Sequence, residues 1–390
     1  MTQNKPARVD IWHNILWSKY KGEVFSSLHK LNDPQELDIR FFQVAETEGN
    51  RVSLGGVDLA HHRYPFDLVF KGSYGKTPLA KRVMALALRT AKSDADLFIL
   101  TGYETLECWA QLLIIKLKRK KAAVFCDATI HDNKQTFLKG IFKRLFFHVV
   151  DGIFGYGPRS KDYVVHYGAD PQKFNYRCQA AALPLDYSAD LALADRLALA
   201  AKPEAPRYLY IGRLSSEKGL DTLLYAFAKV RAQKPKASLI LVGGGGEREN
   251  LEALAQELGL GEAVSFTGGK SGAELFAEYS RATCFVLPSR SEPWGLVVNE
   301  ALSYGCPVIV SEYCGCVPEL VIEGKTGFVH KVNDVDDLAA KMLAAPKVFS
   351  DSQKTAEACL EHIINYTPDK AAGQILEGMR AILSAPERST

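Results

Sequence analysis

Two glutamates stand eight positions apart in the stretch SRSEPWGLVVNEALSYGCPVIVSE, residues 289–312. The hydrophobic pattern predicts a strand that ends near Ser289 and a helix that begins near Gly295. Glu292 would then lie at the mouth of the helix, and Glu300 roughly 7–8 Å deeper along its axis. Because first-turn N–H groups have no intrahelical partner, this arrangement places free donors between two carboxylates.

Two cations precede another predicted helix in the stretch GRLSSEKGLDTLL. Arg213 and Lys218 follow a predicted strand, and Gly219 opens the helix. Cations beside a helix N-terminus form an anion site, in which Arg can grip two phosphate oxygens and Lys acts as a point charge. The same residues also suit an ordinary solvated basic loop, and this stretch alone favours neither interpretation.

The two stretches together fit one kind of ligand. A diphosphate would face the cations and the helix N-terminus, and hydroxyl groups on either side would reach one carboxylate each. A nucleotide sugar has this layout, although each glutamate taken singly needs no ligand to explain it. The predicted donor-site residues are Arg213, Lys218, Glu292, Trp294, Gly295, Leu296, Val297 and Glu300.

Strand-like apolar runs alternate with helix-like segments along the chain, which predicts parallel sheets covered by helices on both faces. The pattern runs twice, with an Ala-rich junction that ends in Pro203 and Pro206. We therefore expect two doubly wound domains, over 1–202 and 203–366, and a C-terminal helix within 367–390 that packs back on the first. Predicted strands cover 8–12, 37–45, 96–100, 122–126, 152–157, 207–212, 237–243, 263–268, 283–289, 306–312 and 327–330. Predicted helices cover 23–31, 104–120, 136–150, 219–233, 247–259, 272–282, 295–305, 335–344 and 367–385.

The segment EPWGLVVNE resembles the E-x7-E motif of family 4 glycosyltransferases, and GRLSSEKG resembles the diphosphate-binding loop of the same family. The resemblance covers about 207–345 and implies the GT-B fold, in which two Rossmann-like domains face a central cleft. It implies that Arg213 and Lys218 bind the donor diphosphate. It also implies that Glu292 contacts hydroxyls of the donor sugar and that Glu300 contacts the ribose.

The first half of the chain departs from the family pattern. The family commonly has a Gly-rich loop after the first strand, where this sequence offers only Gly22. A His near the transferred sugar is also common, and the resemblance suggests His131 for this role, with Asp127 second. A surface loop histidine is an equally good description of His131.

The resemblance implies a retaining transfer from a UDP- or GDP-linked sugar to an acceptor hydroxyl, without a metal or another cofactor. A front-face route with internal return fits, because no carboxylate nucleophile is apparent in the first domain. A glycan or lipid-linked acceptor in bacterial surface-glycan or glycolipid synthesis is the expected setting. The alternatives are a GT-B-fold nucleotide-sugar epimerase and a non-catalytic donor-binding subunit.

Composition narrows the remaining partners. A net charge of +3 is too small to imply nucleic acid. We expect no signal peptide or membrane span, and eight scattered cysteines suit free thiols in a reducing cytoplasm. The basic, aromatic-rich region 116–150 would suit either peripheral contact with the inner face of the cytoplasmic membrane or a helix buried against the first sheet.

Nucleotide motifs of other classes fail. Three GK[ST] triplets lack the P-loop glycine, and GxGxxG fails because Arg248 stands at the third glycine position, which argues against a nicotinamide enzyme. The run from Gly243 to Gly246 predicts either a tight turn or close approach of the backbone to a ligand, with neither favoured.

Overall fold

The computed structural model describes residues 5–49, 56–132 and 137–386. It divides the chain into two compact units. The first unit comprises Met1–Ile130, Lys134–Ala182 and Thr367–Thr390, and the second comprises His131–Asn133 and Leu183–Tyr366.

The described part of the first unit contains a sheet of seven parallel strands in the order β3-β2-β1-β4-β5-β6-β7. The order reverses between β1 and β4, so the carboxyl ends of these strands open a crevice where side chains can gather. Its strands are β1 Ala7–Ile15, β2 Leu37–Thr47, β3 Phe66–Ser73, β4 Leu97–Leu100, β5 Lys121–Cys126, β6 Gly152–Tyr156 and β7 Phe174–Arg177. Its helices are α1 Lys19–Leu31, α2 Leu79–Lys92, α3 Leu106–Leu117, α4 Phe137–Val149, α5 Gly157–His166 and, from the C-terminal segment, α14 Pro368–Ser384.

The helix α14 packs on α1, β6 and β7 within the first unit. Two glycines permit this close approach. A Cβ at Gly378 would lie 2.4 Å from the Phe154 ring, and one at Gly152 would lie 2.2 Å from the Ile382 side chain. Lys121 Nζ donates to the carbonyl of Ile382 at 2.6 Å, which satisfies one of the last carbonyl groups of the helix.

The second unit repeats the architecture with six parallel strands among its described residues, in the order β10-β9-β8-β11-β12-β13. Its strands are β8 Arg207–Ile211, β9 Ser238–Val242, β10 Val264–Gly268, β11 Cys284–Leu287, β12 Val308–Ser311 and β13 Gly327–His330. Its helices are α6 Ala189–Leu199, α7 Leu220–Gln233, α8 Arg248–Glu257, α9 Gly272–Arg281, α10 Leu296–Ser303, α11 Val317–Leu320, α12 Val335–Val348 and α13 Ser352–Ile363. Five of these strands, β8, β9, β11, β12 and β13, are buried almost throughout, as a sheet covered on both faces requires. The edge strand β10 is buried only at Val264.

The second unit begins at Leu183, earlier than the predicted boundary near 203. The segment read as an Ala-rich junction forms α6, which packs on α9 and α13. Its buried Arg196 donates to the carbonyl groups of Tyr279 and Ser280 at 3.2 and 3.1 Å and so fixes α6 against the end of α9.

Several elements were absent from the sequence prediction: β3, β7, α2, α5, α6, α11 and α13. The edge strand β3, FDLVFKGS, is only partly buried, so it lacks the continuous apolar run of the inner strands. Every strand and helix that the sequence predicted is present, and its ends lie within a few residues of the predicted ones.

The helix α4 has one apolar face that is buried and a second apolar face that is exposed. Phe146 and Phe147 are fully buried against the sheet, as one of the two predictions for 136–150 required. However, Ile141, Phe142 and Leu145 are 49%, 60% and 51% exposed, so a second apolar face points to solvent.

None of the helices in the described ranges has the length and apolar character needed to cross a bilayer. All eight cysteines lie in the described ranges, and all are buried thiols without a disulfide.

Candidate functional site

The loop after β8 carries the two predicted cations and ends in a left-handed glycine. Gly219 has φ +65° and caps α7, and a Cβ there would lie 2.4 Å from the carbonyl oxygen of Pro288. Only glycine fits both conditions. The loop therefore lies directly against the segment that follows β11, and this brings the Arg213–Lys218 region beside Glu292.

Four charged side chains form two neighbouring ion pairs at this point. Arg213 Nη2 lies 3.2 Å from Glu217 Oε1, and Lys218 Nζ lies 2.6 Å from Glu292 Oε2. The two pairs differ in exposure, since Lys218 and Glu292 are 13% and 16% exposed whereas Arg213 is 53% exposed. The shielded Lys218–Glu292 pair is the centre of the candidate site, and Arg213 is its exposed outer cation.

The neighbouring cations lower the pKa of Glu217. Burial raises the pKa of Glu217, but a hydrogen bond from Ser215 and the neighbouring Arg213 and Lys218 together leave that pKa below its ordinary value. Glu217 is thus ionised, and it offsets part of the positive charge of the loop.

The turn that carries Glu292 is held by a second segment, CGC at 314–316. The Gly315 N–H donates to the carbonyl of Glu292 at 2.9 Å, and the Cys316 N–H donates to the carbonyl of Trp294 at 3.1 Å. A Cβ at Gly315 would lie 1.8 Å from the carbonyl oxygen of Pro293, so the contact requires glycine. The Cys-x-Cys spacing therefore serves backbone pairing beside the glutamate.

The helix α10 begins where the sequence predicts. Gly295, at φ +98°, caps it, and the buried Trp294 indole N–H donates to Asn299 Oδ1 at 2.7 Å. The described residues offer no partner to the N–H groups of Leu296 and Val297. The first turn of α10 thus has donors available to an anion next to the Lys218–Glu292 pair.

Glu300 lies in the second turn of α10 and is half-buried. Its Oε2 accepts a hydrogen bond from the Tyr279 hydroxyl at 2.8 Å. Burial raises the pKa of Glu300 to about 7, against the opposing effect of the Tyr279 hydrogen bond. The predicted second carboxylate is therefore present, poised between its protonated and ionised forms near neutral pH.

The glycine run after β9 contacts the protein itself. A Cβ at Gly243 would lie 1.9 Å from the Gly212 carbonyl oxygen, and one at Gly245 would lie 2.2 Å from the Leu214 carbonyl oxygen. The run lets the loops after β8 and β9 touch, which accounts for these glycines through packing.

The predicted residues from the first half of the chain do not form one cluster. Asp127 Oδ1 accepts from Arg177 Nη2 at 3.2 Å in the first unit. His131 belongs to the second unit, where its exposed ring stacks on Tyr313 with centroids 4.1 Å apart. Gly22 lies inside α1, not in a loop after β1, and a Cβ there would lie 2.8 Å from the His61 carbonyl oxygen.

Sequence reasoning missed other charged groups of the first unit. Lys21 and Arg177 are 3% and 0% exposed, and His13 lies beside them. The position of Lys21 directly before the predicted site residue Gly22 was the one local indication that Lys21 belongs to a site. Nothing in the β7 sequence FNYR marks Arg177 as a partner of Asp127.

The strand orders of the two units define a class of protein: two Rossmann-like, doubly wound parallel-sheet domains. Solved structures share this fold. The Anabaena protein HepE in complex with UDP matches with a TM-score of 0.71 and 17% identity over 96% of this chain and 100% of that one. Sucrose-phosphate synthase from Thermosynechococcus elongatus matches with a TM-score of 0.71 and 19% identity, over 97% and 100%. These likenesses confirm the predicted GT-B fold and establish nothing beyond it.

The family comparison reaches the second unit. Residues 194–359 match the family model described as Glycosyl transferases group 1, and this range contains the Lys218–Glu292 pair. A GDP-mannose-dependent alpha-(1-6)-phosphatidylinositol monomannoside mannosyltransferase of Mycolicibacterium smegmatis is 36% identical over 154 residues, 37% of this chain and 40% of that protein. The sulfoquinovosyl transferase SQD2 of Arabidopsis thaliana is 34% identical over 178 residues, 45% of this chain and 31% of that protein. The chain thus spans less than half the length of these relatives.

Proposed function

We propose that the protein is a retaining family 4 glycosyltransferase, which moves a sugar from a UDP- or GDP-linked donor to an acceptor hydroxyl. The observation that carries the proposal is the shielded Lys218–Glu292 ion pair beside the N-terminus of α10. An ion pair of this kind presents a cation to a diphosphate and a carboxylate to neighbouring hydroxyls within one small volume. The match of 194–359 to the glycosyl transferases group 1 model supports it.

Each group of the site has a distinct part in this proposal. Lys218 and Arg213 bind the diphosphate, together with the first-turn N–H groups between Trp294 and Val297. Glu292 exchanges its contact with Lys218 for donor sugar hydroxyls, and Glu300 accepts from the ribose. Lys218 is then free to meet the phosphate charge, so donor binding replaces an internal ion pair by two charge-assisted contacts.

The chemistry follows from electrostatics. Charge develops on the leaving diphosphate as the glycosidic bond breaks, and preorganised cations and N–H groups stabilise it. We propose that Arg213, Lys218 and the helix N-terminus suffice for this without a metal ion. His131 and Asp127 are the proposed residues near the transferred sugar, and Gly22 keeps its packing role in α1.

The acceptor side rests on a different surface. We propose that Ile141, Phe142 and Leu145 on α4, flanked by the exposed Lys139 and Arg144, meet an anionic membrane surface. Exposed apolar side chains would enter the headgroup region while the cations pair with lipid phosphates. A glycan or lipid-linked acceptor in bacterial surface-glycan or glycolipid synthesis, at the inner face of the cytoplasmic membrane, fits this surface.

Vesicle flotation tests the membrane proposal. The full chain should float with vesicles that contain phosphatidylglycerol and should not float with phosphatidylcholine alone. Replacing Phe142 by Ser should reduce flotation several-fold, whereas Leu185→Ser, at an exposed leucine of the second unit, should not. Equal flotation of both variants and the wild type would exclude this surface.

Nucleotide binding tests the enzyme proposal. The full chain should be stabilised against heat by either UDP or GDP, with and without magnesium, because a ligand of the native state raises the melting temperature. The matching nucleotide sugar should then be hydrolysed slowly in the absence of acceptor. Inversion at the sugar C2 of the nucleotide sugar alone would point to an epimerase, and binding without turnover to a non-catalytic subunit.

A further inference from the structure

The first unit contains a cavity of about 190 Å³ at the carboxyl ends of β1, β4 and β5. Its lining includes His13, Ser18, Lys21, Phe125 and Asp127. The volume is below the roughly 300–1,000 Å³ of pockets that enclose a whole drug-sized ligand. A cavity of this size fits one compact chemical group.

Lys21 is the unusual member of this lining. It is 3% exposed, and within the described part of the chain its ammonium group has no hydrogen bond and no ion pair. Its neighbours are aromatic faces, with Nζ 4.7 Å from the Phe125 centroid and 5.4 Å from that of Tyr156. Burial of an ammonium group without a carboxylate is costly, so the arrangement needs a reason.

A second buried cation shares the same rings. The Arg177 guanidinium lies 3.9 Å from the Tyr156 centroid and 4.9 Å from that of Phe125. Asp127 is its ion-pair partner at 3.2 Å, and the buried Arg177 Nε has no hydrogen-bond partner among the described residues. Two cations therefore stand in one aromatic box with one carboxylate.

The other titratable groups near the cavity form no ion pair with Lys21 within the described part of the chain. Burial, together with the charge of Lys21, lowers the pKa of His13 to about 3, so its ring is neutral. Glu48 lines the cavity but has an interaction of its own. Burial and the neighbouring Arg177 lower the pKa of Lys21 itself to about 7, against the opposing charge of Asp127.

Helix α1 begins at the same cavity and adds polar donors. Ser18 is 4% exposed and precedes the helix, yet its hydroxyl caps no N–H group. The Ser18 hydroxyl interacts with the nearby Tyr20 hydroxyl but makes no hydrogen bond of standard geometry with the described residues. The first turn of α1 holds no acidic residue. An ammonium group, a hydroxyl and a helix N-terminus thus converge on a cavity whose two lining carboxylates, Glu48 and Asp127, form no ion pair with Lys21 within the described part of the chain.

From this convergence we infer that the first-unit cavity binds an anionic oxygen group of the acceptor, a phosphate or a carboxylate, held by Lys21, Ser18 and the N-terminus of α1. The inference rests on the proposed function, since it names the acceptor class of that enzyme. The anion would be the direct ion-pair partner that Lys21 lacks among the described residues, since Asp127 is paired with Arg177 at 3.2 Å. The acceptor hydroxyl would belong to the same molecule as the anion.

The test measures binding of three small probes to the full chain by calorimetry: methyl phosphate, dimethyl phosphate and acetate. Methyl phosphate represents a phosphomonoester, dimethyl phosphate a lipid phosphodiester, and acetate a carboxylate. At least one probe should bind, and Lys21→Met should weaken that probe at least tenfold. Lys21→Arg should restore most of the binding, and Ser18→Ala should weaken it by a smaller factor. The probe preference identifies the source of the group.

Lys218→Met is the matched control, since it alters the predicted diphosphate site of the second unit. It should weaken UDP or GDP binding and leave the probe unaffected, whereas Lys21→Met should do the reverse. If the probe binds equally well to wild type and Lys21→Met, or binds neither, the inference is overturned. If neither nucleotide binds but Lys21→Met still loses the probe, the enzyme proposal fails and the anion cavity stands.

Discussion

Each unit contains a largely buried lysine, and the surroundings of these two lysines differ. In the second unit, Lys218 has a carboxylate at 2.6 Å and sits in a region whose sequence motifs reveal it. In the first unit, Lys21 lies among aromatic rings, and no carboxylate of the described residues pairs with it. An ion pair can be opened by a ligand that satisfies both partners, whereas a lone buried cation is stabilised by any suitable anion. The comparison suggests that a ligand replaces the ion-pair contact of Lys218, whereas a ligand at Lys21 adds a first anionic partner.

The largest effect is expected from a substitution that removes the Lys218–Glu292 ion pair of the second unit. Lys218→Met should lower the rate of donor hydrolysis by about 10²–10³-fold, because it removes a group that stabilises developing phosphate charge. The exposed Lys229→Met, at the Lys229–Asp336 surface pair, is the control and should keep wild-type activity. Initial rates with the nucleotide sugar identified by thermal shift measure both, and a Lys218→Met rate within about twofold of wild type would contradict the assignment.

The next effect concerns the lone cation of the first unit. Lys21→Met should increase the free energy of unfolding by a few kcal/mol at pH 7, because it removes a buried unpaired charge. The ordinary pKa of the side chain is 10.5 and burial lowers it to about 7. The unfolded chain therefore binds more protons between these values, so the penalty of the wild type shrinks as pH rises through that window.

Urea unfolding of wild type and Lys21→Met at pH 7 and pH 9 checks this expectation. The difference between the two proteins isolates Lys21 from the cysteines and tyrosines that titrate in the same range. A destabilised variant at pH 7, or a difference that does not shrink at pH 9, would count against a charged, unpaired Lys21.

A substitution at Gly315 tests whether the backbone turn that carries Glu292 is needed for the site of the second unit. Gly315→Ala should cost about 1–3 kcal/mol and lower donor hydrolysis, since its Cβ would lie 1.8 Å from the Pro293 carbonyl oxygen and displace the turn that carries Glu292. Gly373→Ala in α14 is the matched control, because no atom lies within 4 Å of the added Cβ. It should stabilise the protein by up to about 1 kcal/mol. Thermal unfolding distinguishes the two signs.

The smallest effect comes from pH. If the ribose donates to Glu300, nucleotide affinity should rise as pH increases through about 7 and fall by up to about tenfold per pH unit below it. In the ligand-free protein the sign is opposite: stability from Glu300 declines as pH rises from its ordinary value towards 7. Calorimetry with UDP or GDP at pH 6 and pH 8 measures the affinity. Glu300→Gln should flatten the profile, and an equally steep profile in that variant would exclude this carboxylate.

The sequence was most informative where several structural signals lie close together in the chain. Glu292, Lys218 and the start of α10 could be placed because strand, turn and helix signals fall within a few residues of one another. Lys218 and Glu292 are 74 positions apart, and their membership of one donor site was inferred from their residue types and the family pattern. Its internal pairing was not foreseen, since no sequence rule says that two ligand-binding side chains contact each other.

The first unit was harder because its cavity is assembled from distant segments. Lys21, Phe125 and Arg177 meet only after β1, β5 and β7 have joined one sheet, and β7 itself was not predicted. Gly22 was read as a loop residue because the helix α1 starts earlier than its apolar pattern indicates. The segment 189–199 was read as a junction because alanines fit a linker as well as a helix.

The return of α14 to the first unit has a consequence for synthesis on the ribosome. The second unit, apart from the three residues His131–Asn133, is contiguous in the chain and can fold as soon as it emerges. The first unit cannot cover Gly152 and the adjacent face of β6 until residues 368–384 arrive, which is after the entire second unit. Its final core therefore closes late, and a release of the chain before α14 would leave a finished second unit attached to an open first one.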